Sequence, residues 1–254
     1  MAASETPTLA GIEVRALARR EELSEAVALE QAIWGFAPGE MIPLRLFVVA
    51  SKIGGQVFGA FDGARMVGFC LAIPGIKPGG QPFLHSDMLG VLPEYRDRRI
   101  GRALKLAQRG DALSRGIALI EWTFDPLELK NAFFNMERLG AVVRRYVLNQ
   151  YGATSSPLHR GLPTDRCVAE WWLAAPRVEA ALGGAAPARS AVEERIEVPA
   201  SIATLRREDP PRAREIQAAV SERFLDAFRR GLAVIGFENS GGAGTYLLGK
   251  WLSP

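Results

Sequence analysis

The sequence predicts a mixed α/β fold, because apolar segments of strand length alternate along it with longer segments of helical period. Residues 56–61 and 66–73 read as two strands joined through Asp62-Gly63, a hairpin signal. From 83 to 151 the order is strand, helix, strand, helix, strand, so strands linked by a crossing helix should run parallel. With 254 residues, 48% of them hydrophobic, the chain can bury a real core, as one large domain or a domain with a sizeable addition.

Taken in order, 12–17 alternates as a strand, and 20–34 carries Leu23, Ala26, Val27 and Ile33 on one helical face. Pro38, Gly39 and Pro43 break the chain in a stretch suited to a substrate rim; Pro43, at a first-turn position, then opens a helix over 44–53. After the hairpin, 74–81 reads as a loop and 84–91 as a strand ended by Pro93; Ile100, Ala103, Leu104 and Ala107 begin a helix to about residue 115. Residues 118–124 form a strand bounded by Gly116 and Asp125-Pro126, 128–139 a helix capped by Gly140, and 142–151 a long strand. The turn-rich loop 152–163 is long enough to suggest a binding role. A strand over 167–173, a short helix running into a linker over 176–190 and a strand over 195–198 follow. Asp209-Pro210-Pro211 opens a helix carrying Ile216, Val220, Phe224 and Phe228, ended by Gly231. Residues 232–237 and 245–251 close as a hairpin around the glycine-rich 239–244.

Charge narrows the class of partner. Lys plus Arg number 31 against 28 Asp plus Glu, and a net charge of +3 does not by itself argue for nucleic acid. Cys70 and Cys167 fall inside apolar runs with no paired spacing and read as buried thiols of a reducing compartment. With only His85 and His159 and no Cys/His cluster, no metal site is expected. The first residues lack the basic region and apolar core of a signal peptide, and no apolar run reaches membrane-spanning length, so the expectation is a cytoplasmic chain without a membrane or nucleic-acid partner.

The stretch with the most chemistry is 83–106, FLHSDMLGVLPEYRDRRIGRALKL. It sets Arg96, Arg98, Arg99 and Arg102 around Gly101 where a strand turns into a helix. Glycine at a helix start lets a phosphate approach unpaired backbone N–H groups, and the helix dipole and guanidinium groups favour its charge. The pattern is that of a pyrophosphate cradle.

The run LGVLPEYRDRRIGRAL resembles the coenzyme A loop of the GNAT family of acyl-CoA-dependent N-acyltransferases. The family's signature, Gln or Arg, two residues, Gly, one residue, then Gly or Ala, is met by Arg98, Arg99, Ile100, Gly101, Arg102 and Ala103. A second block, NAFFNMERLGA at 131–141, resembles the helix that ends in the family's Tyr-Glu-Lys-Leu-Gly-Phe. The resemblance covers the first three-fifths of the chain and implies a mixed, mostly antiparallel central sheet flanked by helices over 1–182. A strand–helix–hairpin addition over 183–254 would be packed on it. The implied cofactor is acetyl-CoA or another acyl-CoA. Arg96, Arg98, Arg99, Ile100, Gly101, Arg102 and Ala103 would hold its pyrophosphate. Backbone N–H groups around Leu89, Gly90 and Val91 would take the pantetheine arm and thioester carbonyl, and Asn131 and Asn135 would lie near the cofactor. Gly90 independently suggests a bulge or a close backbone approach.

Three residues are candidates for deprotonating the amine. His85 occupies a position at which some members of the family use a histidine, and Asp87 stands where a second histidine would be. At spacing two, and barring a bulge, both share a face with Leu89 and Val91. The plainer alternative is a half-buried strand histidine hydrogen-bonded to Asp87. Glu121, a carboxylate in the apolar run LIEWTF, must be paired, solvated or functional. The tyrosine that often protonates the leaving thiolate falls at Met136, and the aromatic expected after Gly140 is Ala141; Tyr146, Tyr151 or water would have to serve. Arg144-Arg145, His159-Arg160 and Asp165-Arg166 flank the acceptor loop, and an arginine fork suits a carboxylate, although most surface arginines are merely solvated. The expectation is a small-molecule amine acceptor, such as an amino acid, bound by Tyr151 and Arg166, and a homodimer for assembly. The alternatives are a non-catalytic acyl-CoA-binding or regulatory protein and, ranked below it, a nucleotide- or nucleic-acid-binding protein using the arginine loop.

Overall fold

The computed structural model describes residues 11–152, 154 and 160–251, so His159 lies outside the described residues. The chain forms two compact units that divide inside a strand, after Ile120.

The first unit contains β1 (Ile12–Ala16), α1 (Arg20–Trp34), α2 (Leu44–Ala50), β2 (Gln56–Asp62), β3 (Arg65–Ile76), β4 (Pro82–Val91), a 3₁₀ turn (Pro93–Tyr95) and α3 (Ile100–Ser114). β1 to β4 form an antiparallel meander in chain order. α1 follows the expected apolar stripe; Leu23, Ala26, Leu29 and Ile33 are buried in a core with Phe47, Phe69, Leu71, Ile100 and Leu104. Gly35 ends α1 in the left-handed region (φ 66°), and its N–H donates to Gln31 O. Pro43 caps α2 from outside rather than sitting in its first turn, and that helix stops at Ala50. β3 runs on through Pro74 to Ile76, over residues that read as loop. Beyond Ala72 it pairs only with β4, so a residue without an N–H removes no bond on the other side.

A buried polar chain joins β4 to α3 and β2. Lys105 Nζ donates to Ser86 Oγ (2.9 Å), Ser86 Oγ donates to Gln108 Oε1 (3.1 Å), and Gln56 Nε2 donates to Gln108 O (2.8 Å) and Asp111 Oδ2 (2.7 Å). Burial of Lys105 disfavours its charge and pulls it down to about 7. An unfolded lysine titrates near 10.5, so between these values the unfolded chain binds the extra proton and stability rises with pH. Burial of the Cys70 thiol, pushed up to about 12, acts in the opposite sense only above about 9. Urea midpoints should therefore climb between pH 7 and pH 9, and Lys105→Met should flatten that slope and raise stability most at the acid end.

The second unit contains the remainder of β5 (Leu119–Phe124), α4 (Leu129–Phe133), a π-helical turn (Phe134–Arg138), β6 (Val142–Val147), β7 (Arg166–Trp172), α5 (Pro176–Leu182), β8 (Glu194–Pro199), α6 (Ile202–Glu208), α7 (Pro210–Arg229), β9 (Leu232–Ser240) and β10 (Ala243–Lys250). Its strand order is β5-β7-β6-β9-β10-β8, with β6–β7, β6–β9, β9–β10 and β10–β8 antiparallel. The residues after 183 thus belong to the same unit as β5, β6 and β7, and the division falls inside β5 rather than at 182/183. β6 ends at Val147, four residues short of the expected end, because Asn149 takes φ 43° and donates its N–H to Asp165 Oδ1 (2.8 Å). Helix 128–139 is broken into an α turn and a π turn, and Leu139 N–H reaches back to Phe134 O. α6 has no counterpart among the expected elements. α7 is capped as its sequence requires, Asp209 accepting from Arg212 N–H (3.1 Å) with Pro210 and Pro211 following.

Both units are mixed α/β with mostly antiparallel strands flanked by helices. Among the described residues no helix is long and apolar enough to cross a membrane.

Candidate active site

The turn between β4 and α3 is held by its own side chains. Tyr95 Oη donates to Asp62 Oδ2 (2.8 Å), Arg65 pairs with Glu94 (2.7 Å), and the guanidinium carbons of Arg65 and Arg98 lie 5.5 and 4.8 Å from the Tyr95 ring centroid. Arg98 is therefore stacked at the rim rather than loose in solvent. Asp97 and Arg99 both adopt positive φ (61° and 62°), a left-handed backbone that non-glycine residues take at a cost and that collects at ligand clamps. Arg99 is the N-cap of α3, and no side chain caps this helix. The first intrahelical bond runs from Ala103 N–H to Arg99 O, so the amides of Ile100 and Gly101 precede the helical ladder.

Gly101 sits in that first turn, where a Cβ would meet only Leu89 Cδ2 at an ordinary 3.5 Å. Nothing in the protein requires glycine there. Gly90 is the opposite case: a Cβ would lie 2.6 Å from the Trp34 ring and 2.8 Å from Ile33 Cδ1, so its lack of a side chain admits α1.

β4 carries a bulge at Asp87: Leu71 pairs with Met88 and Ala72 with Ser86, leaving Asp87 without a partner. Ser86 and Leu89, three residues apart, consequently both face α3. The expectation that His85 and Asp87 share a face with Leu89 and Val91 fails for this reason; beyond the bulge the alternation is inverted. Asp87 is solvent-accessible yet closely surrounded, and that crowding raises its carboxyl above the usual range while His85 opposes the rise.

Sequence pattern missed Glu30. It lies four residues after Ala26 and seven after Leu23, on the buried face of α1, and a carboxylate interrupting that stripe was the signal available. It is fully buried, Oε2 accepts Ile42 N–H (2.9 Å), and Oε1 has no hydrogen-bond partner. Desolvation raises it to about 7, with the charge of Asp87 adding to the rise.

The other predicted residues lie in the second unit. Glu121 is buried and paired with Arg145 (2.7 Å), and Arg144 pairs with Glu170 (2.6 Å); the arginine pair that was to flank the acceptor is engaged with buried carboxylates. Asn131 is exposed but Asn135 is buried with Nδ2 unpartnered, in a π turn packed against α5 and β9, so the two do not present one common face. Met136 is fully buried. Tyr146 is also buried; its hydroxyl lies 2.9 Å from Ser221 Oγ, and burial raises it further from the neutral range. Tyr151 is half exposed, its hydroxyl 2.8 Å from Thr123 Oγ1. Arg166 lies over the Tyr151 ring at 5.3 Å and donates Nη1 to Asp165 O (2.9 Å), so the two predicted acceptor residues do meet. Trp171 is core, donating Nε1 to Leu139 O (2.7 Å), while Trp172 is partly exposed. Cys70 and Cys167 are unpaired and buried, and among the described residues no group of His, Cys, Asp and Glu could hold a metal ion.

No protein-family model matches the sequence, and no curated protein matches it. Solved structures do match in fold. yncA from Salmonella typhimurium, solved with its cofactor acetyl-CoA, aligns at 15% identity and TM-score 0.52, over 65% of this chain and 98% of that one. A Desulfovibrio desulfuricans protein described as an acetyltransferase of the GNAT family aligns at 16% identity and TM-score 0.51, over 64% and 99%. The ribosomal-protein-S18-alanine N-acetyltransferase of Escherichia coli aligns at 17% identity and TM-score 0.50, over 65% and 95%.

Proposed function

The chain carries the GNAT fold, and from that premise we propose that it is an acyl-CoA-dependent N-acyltransferase, with acetyl-CoA or a larger acyl-CoA as donor and direct transfer to an amine. The observation that carries this is Gly101. A glycine in a helical turn with open space around it costs about 0.5–1 kcal/mol relative to alanine, which approach of a ligand to the backbone explains. The uncapped amides and Arg96, Arg98, Arg99 and Arg102 at the start of α3 suit a pyrophosphate, and Ala103 lets the helix begin without bulk. Leu89 and Val91 would offer backbone N–H groups to the pantetheine arm.

The protein's task in such a reaction is to position the amine and take its proton. His85 with Asp87 is the better candidate pair, because Glu121 is committed to Arg145. Arg166, stacked on Tyr151, supports an acceptor that also carries a carboxylate, such as an amino acid. Action in the cytoplasm fits two unpaired cysteines.

The test is a thiol-release screen of several acyl-CoAs against amino acids, polyamines and aminoglycosides. On the best pair, His85→Ala should lower turnover by about 10²–10⁴-fold with acyl-CoA affinity unchanged, and Glu121→Ala should do less. Wild-type rates in the His85 variant near neutral pH would remove it from catalysis. A second reading, acyl-CoA binding without transfer, is favoured by Met136 and by the Tyr146 hydroxyl's engagement with Ser221, which leave only Tyr151 or water to protonate the thiolate. Coenzyme A binding with no thiol release across the panel would select it.

A further inference from the structure

Helix α7 grips the segment of chain that leads into β7. Arg214, Gln217 and Ser221 follow one another at spacings of three and four, on one face of the helix. Arg214 donates Nη2 to Gly161 O (2.9 Å), Gln217 donates Nε2 to Pro163 O (2.8 Å), and Ser221 Oγ donates to Asp165 Oδ2 (2.7 Å). Successive turns of α7 thus hold every second residue of 161–165. Gln217 and Ser221 are buried, polar interruptions of a stripe that otherwise carries Ala213, Val220 and Phe224. Water cannot replace a bond made there, so each fixes a geometry.

The same segment holds the turn after β6 from its other side. Asp165 Oδ1 accepts Asn149 N–H (2.8 Å), Thr164 O accepts Gln150 N–H (3.0 Å), and Thr164 Oγ1 accepts Tyr151 N–H (2.9 Å). Consecutive amides of the turn are therefore fixed by Thr164 and Asp165, both buried. Asp165 is the junction, with one oxygen bonded to α7 and the other to the turn. What these bonds carry is the pair Tyr151 and Arg166, with the guanidinium 5.3 Å from the ring centroid and the tyrosine hydroxyl 2.8 Å from Thr123 Oγ1. All of these residues belong to the second unit.

We propose that Arg214, Gln217 and Ser221 are positioning residues for the acceptor: α7, acting through 161–165, sets Arg166 against Tyr151 and with it the selectivity for an acceptor that carries a carboxylate. This rests on the N-acyltransferase reading and gives the residues after 183 a part in it. They act through Thr164 and Asp165 rather than by contact with the substrate. A charged hydrogen bond depends on distance and angle, so a displaced Arg166 loses its hold on a carboxylate while a neutral analogue loses little.

Amide hydrogen exchange in the ¹⁵N-labelled full chain, without cofactor, reads the positioning; the ratio of kcat/KM for an amino acid to that for its amide reads the selectivity. Gln217→Leu and Ser221→Ala should each speed exchange at Asn149, Gln150 and Tyr151 about tenfold. The amino acid's advantage over its amide should fall about three- to tenfold, with the KM for acetyl-CoA unchanged. Arg214→Ala should act in the same direction more weakly, and Arg214→Lys should restore wild-type behaviour. Arg223→Ala is the control on the same helix, since Arg223 bonds to Glu194 and to Arg195 O, and it should move neither reading. Unchanged exchange at these amides in Gln217→Leu overturns the proposal. Faster exchange with an unaltered ratio also overturns it, because α7 then supports the fold alone. A wild type that releases no thiol with any pair overturns the acyltransferase reading instead, because the exchange measurement needs no turnover. Arg214 is exposed, so its variants keep the proposal falsifiable if Gln217→Leu or Ser221→Ala does not fold.

Discussion

Gly101→Glu will abolish acetyl-CoA binding while leaving the fold intact, with affinity lost by more than about a hundredfold, or about 2.7 kcal/mol. The site for a new Cβ is open apart from Leu89 Cδ2 at 3.5 Å, and the residue already lies in helical backbone, so the protein itself has no objection to a side chain. A carboxylate in the first turn of α3 would even favour the helix dipole and so leave thermal stability unchanged or slightly raised. On the proposed function the same carboxylate would stand beside the amides of Ile100 and Gly101 that are to meet the pyrophosphate, and would repel it. Calorimetry with acetyl-CoA is the measurement, and Gly101→Ala is the control. The alanine variant should gain about 0.5–1 kcal/mol of stability and lose less affinity than the glutamate. Undiminished binding by the folded glutamate variant would remove this turn from the cofactor site.

Arg206→Ala should produce the largest loss of stability, about 3–5 kcal/mol, seen as a fall of about 10 °C in Tm. Arg206, on α6, is buried and reaches Asp125 Oδ2 at 2.6 Å and Glu128 Oε1 at 2.7 Å. Removing the guanidinium takes the ion-pair partner from Asp125 Oδ2, just past the end of β5, in a side chain only 13% exposed, and leaves Oδ1 with the Leu127 N–H alone. Combining Arg206→Met with Asp125→Asn should recover part of the loss, because both charges are then gone. A loss below about 1 kcal/mol in the single variant would mean that solvent reaches Asp125 and screens it.

The helices that present one apolar stripe to a core were legible: α1, α3 and α7 begin and end close to where their periodicity and caps predicted. The arginine-rich turn was legible too, since its chemistry is local. What escaped was set by partners distant in sequence. A bulge leaves no mark on the strand that carries it, because only the register against β3 reveals that Asp87 is the extra residue. β6 was overextended since apolar alternation continues to Tyr151, while Asp165, sixteen positions on, captures Asn149 and turns the chain. The buried carboxylates were half legible: Glu121 was flagged by its apolar neighbours, but its partner Arg145 could not be told from a solvated arginine. Glu30 escaped because one polar residue on a helical stripe is usually excused as its edge, and its burial depends on the segment that folds over it at Ile42.

The bulge in β4 behaves like a shift of reading frame written in side-chain direction. Residues before Asp87 are phased to Ile73 and Ala72, and those after it to Leu71 and Cys70, one step out. Insertions and deletions are therefore the dangerous changes in this strand. The exception is Asp87 itself: losing it would heal the ladder with Ser86 still opposite Ala72 and Leu89 still opposite Cys70, whereas losing any other residue of the strand while the bulge remains would turn over the side chains beyond the loss. Any comparison of this strand with another protein's must first ask whether both carry the extra residue, or it will equate side chains that look in opposite directions.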